Sequence, residues 1–450
     1  MEIFLLGVSH KTAPVELREQ LALPPSHIPR ALRILKNACG LQEAAILSTC
    51  NRAEIYAVGN AQSAARLERF LSRYHTLPSR ANSQHAPVPI TAALYRSQDE
   101  ASVRHLFNVA SGVESMVVGE SEIQGQVKTA LETAHKHDSI GIVLDELFRR
   151  AIACGKRARH ETAIGRGAQS VGAAAVELAR QIFGPLAGHK VLLLGAGEMS
   201  AATARCLVSS GASSVFVANR TLSKGQELAA QLRSQKADAD AVHWNELEEH
   251  LKSADIVIAS TGAPHQVLSA AQVKTAMKGR RHRPLFMIDI AVPRDIDPAA
   301  HQLEDVFLFD IDDLRGVVEG NRSGRAGEIA GVEQIIEDEM ESWQRWMNAH
   351  QARPVMTALA HHAAQLRDAE VENARRAARK KLNNLDEESL QAVDELLAGL
   401  GRSIAGKMIH PPLRHLREAG ETGSEDVEVL RRAFNLETNN SNNNSSKPLP

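Results

Sequence analysis

Four short apolar runs, each followed by a stretch long enough for a helix, constrain the fold of this chain more than any other feature. They are His189-Lys190-Val191-Leu192-Leu193-Leu194, Ser214-Val215-Phe216-Val217-Ala218, Asp255-Ile256-Val257-Ile258-Ala259-Ser260 and Leu285-Phe286-Met287-Ile288-Asp289-Ile290. Each has strand length and little polar alternation, as a strand covered on both faces does. Their alternation with helical stretches predicts a doubly wound parallel sheet over residues 165–312. Gly195-Ala196-Gly197-Glu198-Met199-Ser200 follows the first run and opens a helix. That is the context a dinucleotide fingerprint requires. Gly195 suits the tight turn, and Gly197 lets a pyrophosphate approach the backbone at a helix N-terminus. Ser200 replaces the third glycine, small enough for helix–strand packing but a departure. The plainer alternative is a glycine turn that binds no nucleotide. After the second run stands Asn219-Arg220-Thr221, with no carboxylate for a ribose 2′-hydroxyl. Arginine there suits a 2′-phosphate, so the expected cofactor is NADP(H), with Arg220 on the phosphate and Asn219 and Thr221 as hydrogen-bonding neighbours.

A second chemical signal lies far upstream. Ala44-Ala45-Ile46-Leu47 reads as a buried strand and runs into Ser48-Thr49-Cys50-Asn51-Arg52. This places a thiol at a strand end with a cation two residues away. Nearby positive charge lowers a thiol's pKa, and a thiolate attacks acyl carbonyls. Arg52 also has the fork geometry to clamp a carboxylate. The alternative is a buried cysteine that only fills space.

The remaining sequence sets bounds. At 450 residues, about two to four domains are expected. Residues 1–160 mix strands (Ile3 to Val8, Glu54 to Val58) with helical patterns: Ser26 to Lys36 with Ser26 as N-cap, Glu100 to Ser111, Ile123 to His135 and Ile142 to Ala163. Pro78 to Pro89 reads as a loop. Beyond Asp312 the chain turns rich in Ala, Glu, Arg, Gln and Leu, which predicts long helices to about Glu437. Trp343 and Trp346 share a helical face and read as packing residues. The Asn/Ser-rich tail, 438–450, is expected to be disordered. A net charge of -2 argues against general nucleic-acid binding but leaves room for a specific RNA held by a local basic patch. The four cysteines form no CxxC pair, pointing to a reducing compartment. The 19 histidines form no HExxH and no ligand cluster, so no metal is expected. Met1 to Val8 lacks a basic n-region, and no apolar run approaches the roughly 20 residues of a membrane span. The expectation is a cytoplasmic protein with no membrane partner.

Several stretches together resemble the glutamyl-tRNA reductases. They are Gly7-Val8-Ser9-His10-Lys11-Thr12-Ala13-Pro14, Leu47 to Glu54, His105-Leu106-Phe107, Ala110 to Glu120, Gln124-Gly125-Gln126-Val127-Lys128 and Asp289-Ile290-Ala291-Val292-Pro293-Arg294-Asp295, in family order. The resemblance implies three domains: a catalytic, glutamyl-tRNA-binding α/β domain (1–160), an NADPH-binding Rossmann domain (165–312), and an all-helical dimerisation domain (317–437) reached by a long helix from about Val317. It implies that Cys50 takes glutamate from the tRNA 3′ end as a thioester and that NADPH reduces this to glutamate-1-semialdehyde, the first step of five-carbon tetrapyrrole synthesis. Thr49, Asn51, Arg52, Ser115, Glu120, Ser121, Glu122 and Gln126 match substrate-contacting positions, and His105 a histidine assisting catalysis. A V-shaped homodimer is implied, with product transfer to glutamate-1-semialdehyde aminomutase by proposal. Glu114 stands for the family's usual aspartate, and Ser121 for a proline. Ser9-His10-Lys11-Thr12 carries no derivable chemistry. The basic run Arg375, Arg376, Arg379, Lys380, Lys381 reads either as tRNA contact or as a solvated helix face. Two other functions stay open: a shikimate-dehydrogenase-like oxidoreductase needing no thiol, and a non-enzymatic, NADP-sensing RNA-binding scaffold.

Overall fold

A computed structural model describes residues 2–74, 92–165, 171–212, 214–235, 237–314, 326–419 and 425–436. The expected Pro78–Pro89 loop, the 438–450 tail and the start of the long helix near Val317 lie outside these residues. The chain divides into two compact units, one ending at Glu337 and the other beginning at Asp338.

The first unit holds two sheets. In chain order its opening elements are β1 (Glu2–Ser9), α1 (Val15–Leu21), α2 (Ile28–Asn37), β2 (Glu43–Ser48), β3 (Arg52–Gly59), α3 (Ala61–Tyr74), β4 (Tyr95–Gln98), α4 (Asp99–Ala110), α5 (Glu122–Lys136) and α6 (Ile142–Glu161). The four strands pair antiparallel in the order β2-β3-β1-β4. β1 to β3 are buried almost throughout because helices cover both faces of the sheet. On one face Leu6, Val8, Ile46 and Ile55 pack with Leu17, Leu32 and Leu35. On the other, the Tyr56 ring meets Phe148 of α6 edge-on at 5.4 Å. Glu43, on an edge strand, accepts from the N–H groups of Val143 and Leu144 at 3.1 and 2.7 Å. It thereby caps α6, whose first amide groups have no partner inside the helix.

The second sheet follows: α7 (Val171–Phe183), β5 (Lys190–Leu194), α8 (Glu198–Ser209), β6 (Ser214–Ala218), α9 (Leu222–Ser234), β7 (Asp238–Val242), α10 (Leu247–Ser253), β8 (Ile256–Ala259), α11 (Ala270–Lys278), β9 (Leu285–Asp289) and β10 (Val306–Asp310). All six strands are parallel, in the order β10-β9-β8-β5-β6-β7. The order reverses between β5 and β8, and a ligand crevice opens at the carboxyl ends of strands at such a point. The doubly wound expectation holds, with two edge strands added. β7 reads Asp-Ala-Asp-Ala-Val, and its alternation fits an edge with one wet face. The Ser26 cap does not form: α2 begins at Ile28 with Pro29 in its first turn, and His27 is the flanking residue. Pro29 supplies the pre-set φ that starts the helix.

The second unit is helical. The 56-residue helix Ala326–Lys381 starts before it and continues into it, followed by Glu387–Ala419 and Glu425–Ala433. Val355, Leu359, Leu416 and Leu436 form a small core. Trp343 and Trp346 pack ring to ring at 5.1 Å, and His350 stacks on Trp346. Arg379 and Arg375 lie 3.0 and 3.8 Å from Asp394, so this part of the basic run faces its neighbouring helix.

Candidate active site

Cys50 sits at the tip of the β2–β3 hairpin. Thr49 holds the turn: its N–H donates to Arg52 O at 2.8 Å, while its hydroxyl accepts from the N–H groups of Asn51 and Arg52. Ser9-His10-Lys11-Thr12 braces it from β1. His10 N–H donates to Asn51 O at 2.8 Å, Ser9 and Thr12 close a local turn, and Lys11 pairs with Glu114. The motif without derivable chemistry is therefore a support for the Cys50 turn.

The thiol is not activated in the way the sequence suggested. Its pKa is pushed up to about 12, by burial first and then by the Glu120 carboxyl, with Glu122 adding to it. The cation that opposes this is Arg18 of α1, not Arg52. Arg18, 2% exposed, donates to the carbonyl oxygens of Cys50 and Ala13. Arg52 is itself buried, donating to Glu54 Oε1 and to Glu114 O, both at 2.6 Å. The expectation that Arg52 lowers the thiol's pKa is thus corrected: Arg52 begins β3 and is committed to the strand's own carboxylate.

Glu54 organises this side of the site and was missed from sequence. It is fully buried, yet accepts from Arg52, from Tyr56 Oη at 2.7 Å, from Tyr95 Oη and from His105 Nε2 at 2.9 Å. Burial pushes its pKa up, but Arg52, and then His105, more than offset this and hold the carboxyl well below the usual range. An ionised carboxylate only accepts, so His105 Nε2 carries the hydrogen. His105 keeps 22% of its side chain exposed. The signal was present in β3, where Arg52, Glu54 and Tyr56 alternate onto one face of a buried strand.

The other wall is acidic. Gly119 has φ +83, and a Cβ there would fall 1.9 Å from Ile164 O, so only glycine makes this turn. Arg159 then holds the Glu120 and Ser121 carbonyl oxygens at 3.1 and 3.2 Å. Ser115 and Glu120 are buried, Glu122 and Gln126 are half-buried, and Ser121 is exposed. Glu120 is pushed up to about 7, by burial first and then by Glu122. Asn51 Oδ1 and Glu122 Oε2 are buried acceptors with no hydrogen-bond partner among the described residues.

The Gly195–Ser200 turn lies within electrostatic reach of this wall. Glu122 is raised by burial and then by Glu198, the first residue of α8. Cys50, Ala196, Met199 and Val292 all pack on one apolar cluster that includes Val15, Met116, Val117, Val191 and Leu193. The turn itself fits a pyrophosphate. Gly195 has φ +105, and a Cβ there would meet Ser260 O at 2.5 Å, whereas a Cβ on Gly197 would meet nothing within 4 Å. Gly197 thus leaves an open cradle before the α8 amides, which no side chain caps. Ser200 Oγ donates to Ser260 O at 3.3 Å and packs where the third glycine stands. Asn219 Nδ2 donates to Thr221 O at 2.7 Å, and Arg220 is exposed with no ion pair among the described residues. Among the described residues no His/Cys/Asp/Glu group is placed to hold a metal, and no helix is long and apolar enough to cross a membrane.

Comparison with known proteins covers the whole chain. Residues 6–162 match the family model for the glutamyl-tRNAGlu reductase N-terminal domain. Residues 177–317 match that for shikimate / quinate 5-dehydrogenase, and 331–436 that for the glutamyl-tRNAGlu reductase dimerisation domain. The chain is 41% identical over 442 residues to the glutamyl-tRNA reductase of Pelobacter propionicus, covering 97% of each. It is 41% identical to that of Trichlorobacter lovleyi over the full length of both. The solved structure of the glutamyl-tRNA reductase from Methanopyrus kandleri is 35% identical, with 94% of this chain and 99% of that one covered and a TM-score of 0.47.

The acidic wall has a measurable consequence. Glu120 holds its proton more tightly folded than unfolded, so between about pH 4.5 and 7 the folded state carries the extra proton. Stability contributed by that proton is complete below the unfolded value and is lost as pH rises through the folded one. Glu120→Gln should flatten this decline by up to about 3 kcal/mol. Urea midpoints at pH 5 and 7.5 check it; parallel declines in parent and variant would contradict the assignment.

Proposed function

The chain belongs to the glutamyl-tRNA reductase family, and from that membership we propose a reaction course for its own residues. As a family member it is a nicotinamide-dependent oxidoreductase that reduces glutamyl-tRNA to glutamate-1-semialdehyde in the first step of tetrapyrrole biosynthesis, and it carries a homodimerisation domain. The dehydrogenase likeness covers only 177–317 and belongs to the dinucleotide domain rather than to the activity. The domain limits we assign are 1–160, 165–312 and 317–437.

Cys50 is the nucleophile. Its sulfur attacks the ester carbonyl, the carbon–oxygen bond to the tRNA 3′ end breaks, and the thiol proton ends on the departing hydroxyl. Asn51 Oδ1, Glu120 and Glu122 receive the substrate's α-ammonium. The two orphan acceptors support this, since buried acceptors favour a donor. The ammonium also neutralises the carboxylates that raise the thiol's pKa, so the sulfur becomes reactive as the substrate arrives. Arg52, with three N–H groups beyond the two already engaged, takes the substrate carboxylate. Thr49, Ser115, Ser121 and Gln126 line the same pocket. When bound, NADPH supplies a hydride to the thioester carbonyl. His105, its Nε2–H held by Glu54, acts as an imidazolium and gives the carbonyl oxygen its Nδ1 proton, and Cys50 leaves as a thiol with the hydroxyl proton when the hemithioacetal collapses. Gly195, Ala196, Gly197, Glu198, Met199 and Ser200 form the dinucleotide turn, and Asn219, Arg220 and Thr221 select the 2′-phosphate. The product aldehyde is handed to glutamate-1-semialdehyde aminomutase, and the site of action is the cytoplasm.

The observation that carries this reading is the shared packing of Cys50 and the dinucleotide turn on one apolar cluster. Glutamyl-tRNA given without NADPH should leave a glutamyl mass on Cys50 and none on Cys50→Ala; an unmodified parent protein would refute the thioester. Acetylating the α-amino group of the substrate should slow adduct formation by roughly tenfold or more, about the value of one charge-assisted hydrogen bond. An acetylated substrate that acylates as fast as the native one would remove the ammonium from the argument. Arg220→Ala should weaken NADPH by on the order of tenfold and leave NADH nearly unchanged, read by fluorescence titration. Equal losses for both would place the 2′-phosphate elsewhere.

A further inference from the structure

Helix α1 is tied to the dinucleotide domain by two ionic contacts. At its start, Val15 N–H donates to Asp312 Oδ2 at 2.9 Å, and Arg18 Nη2 pairs with Oδ1 of the same carboxylate. Asp312 belongs to the turn after β10, where its N–H donates to Asp310 Oδ1 at 2.9 Å. On the other side, Arg294, after β9, reaches Glu19 at 2.9 and 3.1 Å, Glu16 at 3.0 Å and Asp310 at 3.9 Å. Between these contacts the Arg18 guanidinium also grips the Cys50 carbonyl oxygen. One buried side chain thus touches the nucleophile's own peptide and the far domain, across 294 residues of sequence. A surface ion pair would carry little meaning, but Arg18 is 2% exposed and its acceptors are fixed backbone and carboxylate atoms.

We propose that Arg18 is a positioning residue which, through Asp312, registers the acylated Cys50 turn against the docked dinucleotide domain. The inference rests on the thioester reading above and adds to it a coupling between domain docking and hydride transfer. Acyl transfer needs only the Cys50 turn and the acidic wall. Reduction needs the turn held against the dinucleotide domain, where a displacement of about 1 Å can cost on the order of a hundredfold.

The full-length protein separates the two stages by intact mass. Without a dinucleotide, Asp312→Asn should accumulate the Cys50 adduct within about twofold of the parent rate. After NADPH is added, the adduct should persist, discharging to aldehyde on the order of 10- to 100-fold more slowly. NADPH affinity, by titration, should stay within about twofold. Asp312→Glu should recover part of the discharge rate, and Arg18→Gln should slow both stages. An Asp312→Asn adduct that discharges at the parent rate overturns the coupling and leaves the thioester intact. A parent protein that forms no adduct overturns the thioester reading, and the coupling with it. Should Arg18→Gln fail to fold, Asp312→Asn decides alone, since its partly exposed carboxamide keeps the size of the carboxylate.

Discussion

The site is organised by a single carboxylate that has no contact with water. Glu54 lies in the central strands of an antiparallel sheet covered on both faces, where an unpaired charge would cost several kcal/mol. It is tolerated because donors converge on it from three elements: Arg52 and Tyr56 on β3, Tyr95 on β4 and His105 on α4. These contacts are what turn a generic α/β layer into a site. They fix a hydrogen on Nε2 of His105, they hold the start of β3 directly after the Cys50 turn, and they tie α4 to the sheet. Removing any one partner leaves the others over a buried charge, so the network acts as a unit.

Burial first, and acidic neighbours second, make the Cys50 thiol hard to ionise at rest. The Glu54 side is neutralised internally. The Glu120–Glu122 side is not, and both carboxyls add to the rise in the Cys50 pKa. A thiolate held permanently would meet oxidants and stray electrophiles. On the proposed route a cationic substrate offsets these carboxylates and eases ionisation, so that the acidic wall serves binding and activation together.

What could be read from the sequence follows the range of the interaction. The hairpin turn at Cys50 and the glycine turn after β5 are local, set by neighbours along the chain, and both were legible. So were the four interior strands of the parallel sheet, whose apolar runs need no partner to be recognised. The edge strand β7 was not, because Asp238, Ala239, Asp240 and Ala241 resemble a polar loop until β6 pairs with them. Arg52 was misassigned for a related reason. Two residues from Cys50 in sequence suggests proximity to the sulfur, but Arg52 is already in the strand and turns to Glu54, two positions on. Arg18, which does act on the sulfur, lies 32 residues away and has no local mark. Asp312 is more distant still, and nothing short of the packed chain brings it to α1.

The same packing bears on how a thioester survives long enough to be reduced. Water attacks a thioester as hydride does, and a site that excludes it favours reduction. Val15, Met116 and Val117 belong to the apolar cluster on which Cys50, Val292 and the Gly195–Ser200 turn all pack, so the Cys50 side chain has an apolar backing on that side. On the proposed route the tRNA acceptor end departs before hydride arrives. The contacts of α1 suit such an order. Glu16 is half exposed and its pair with Arg294 contributes little, but Glu19 holds Arg294 at two points with both side chains largely buried, and Arg18 is buried and keeps its hold on the Cys50 carbonyl. Only the outermost pair of this clamp yields at little cost, so on the proposed route α1 keeps its hold on the Cys50 peptide and on the dinucleotide domain together.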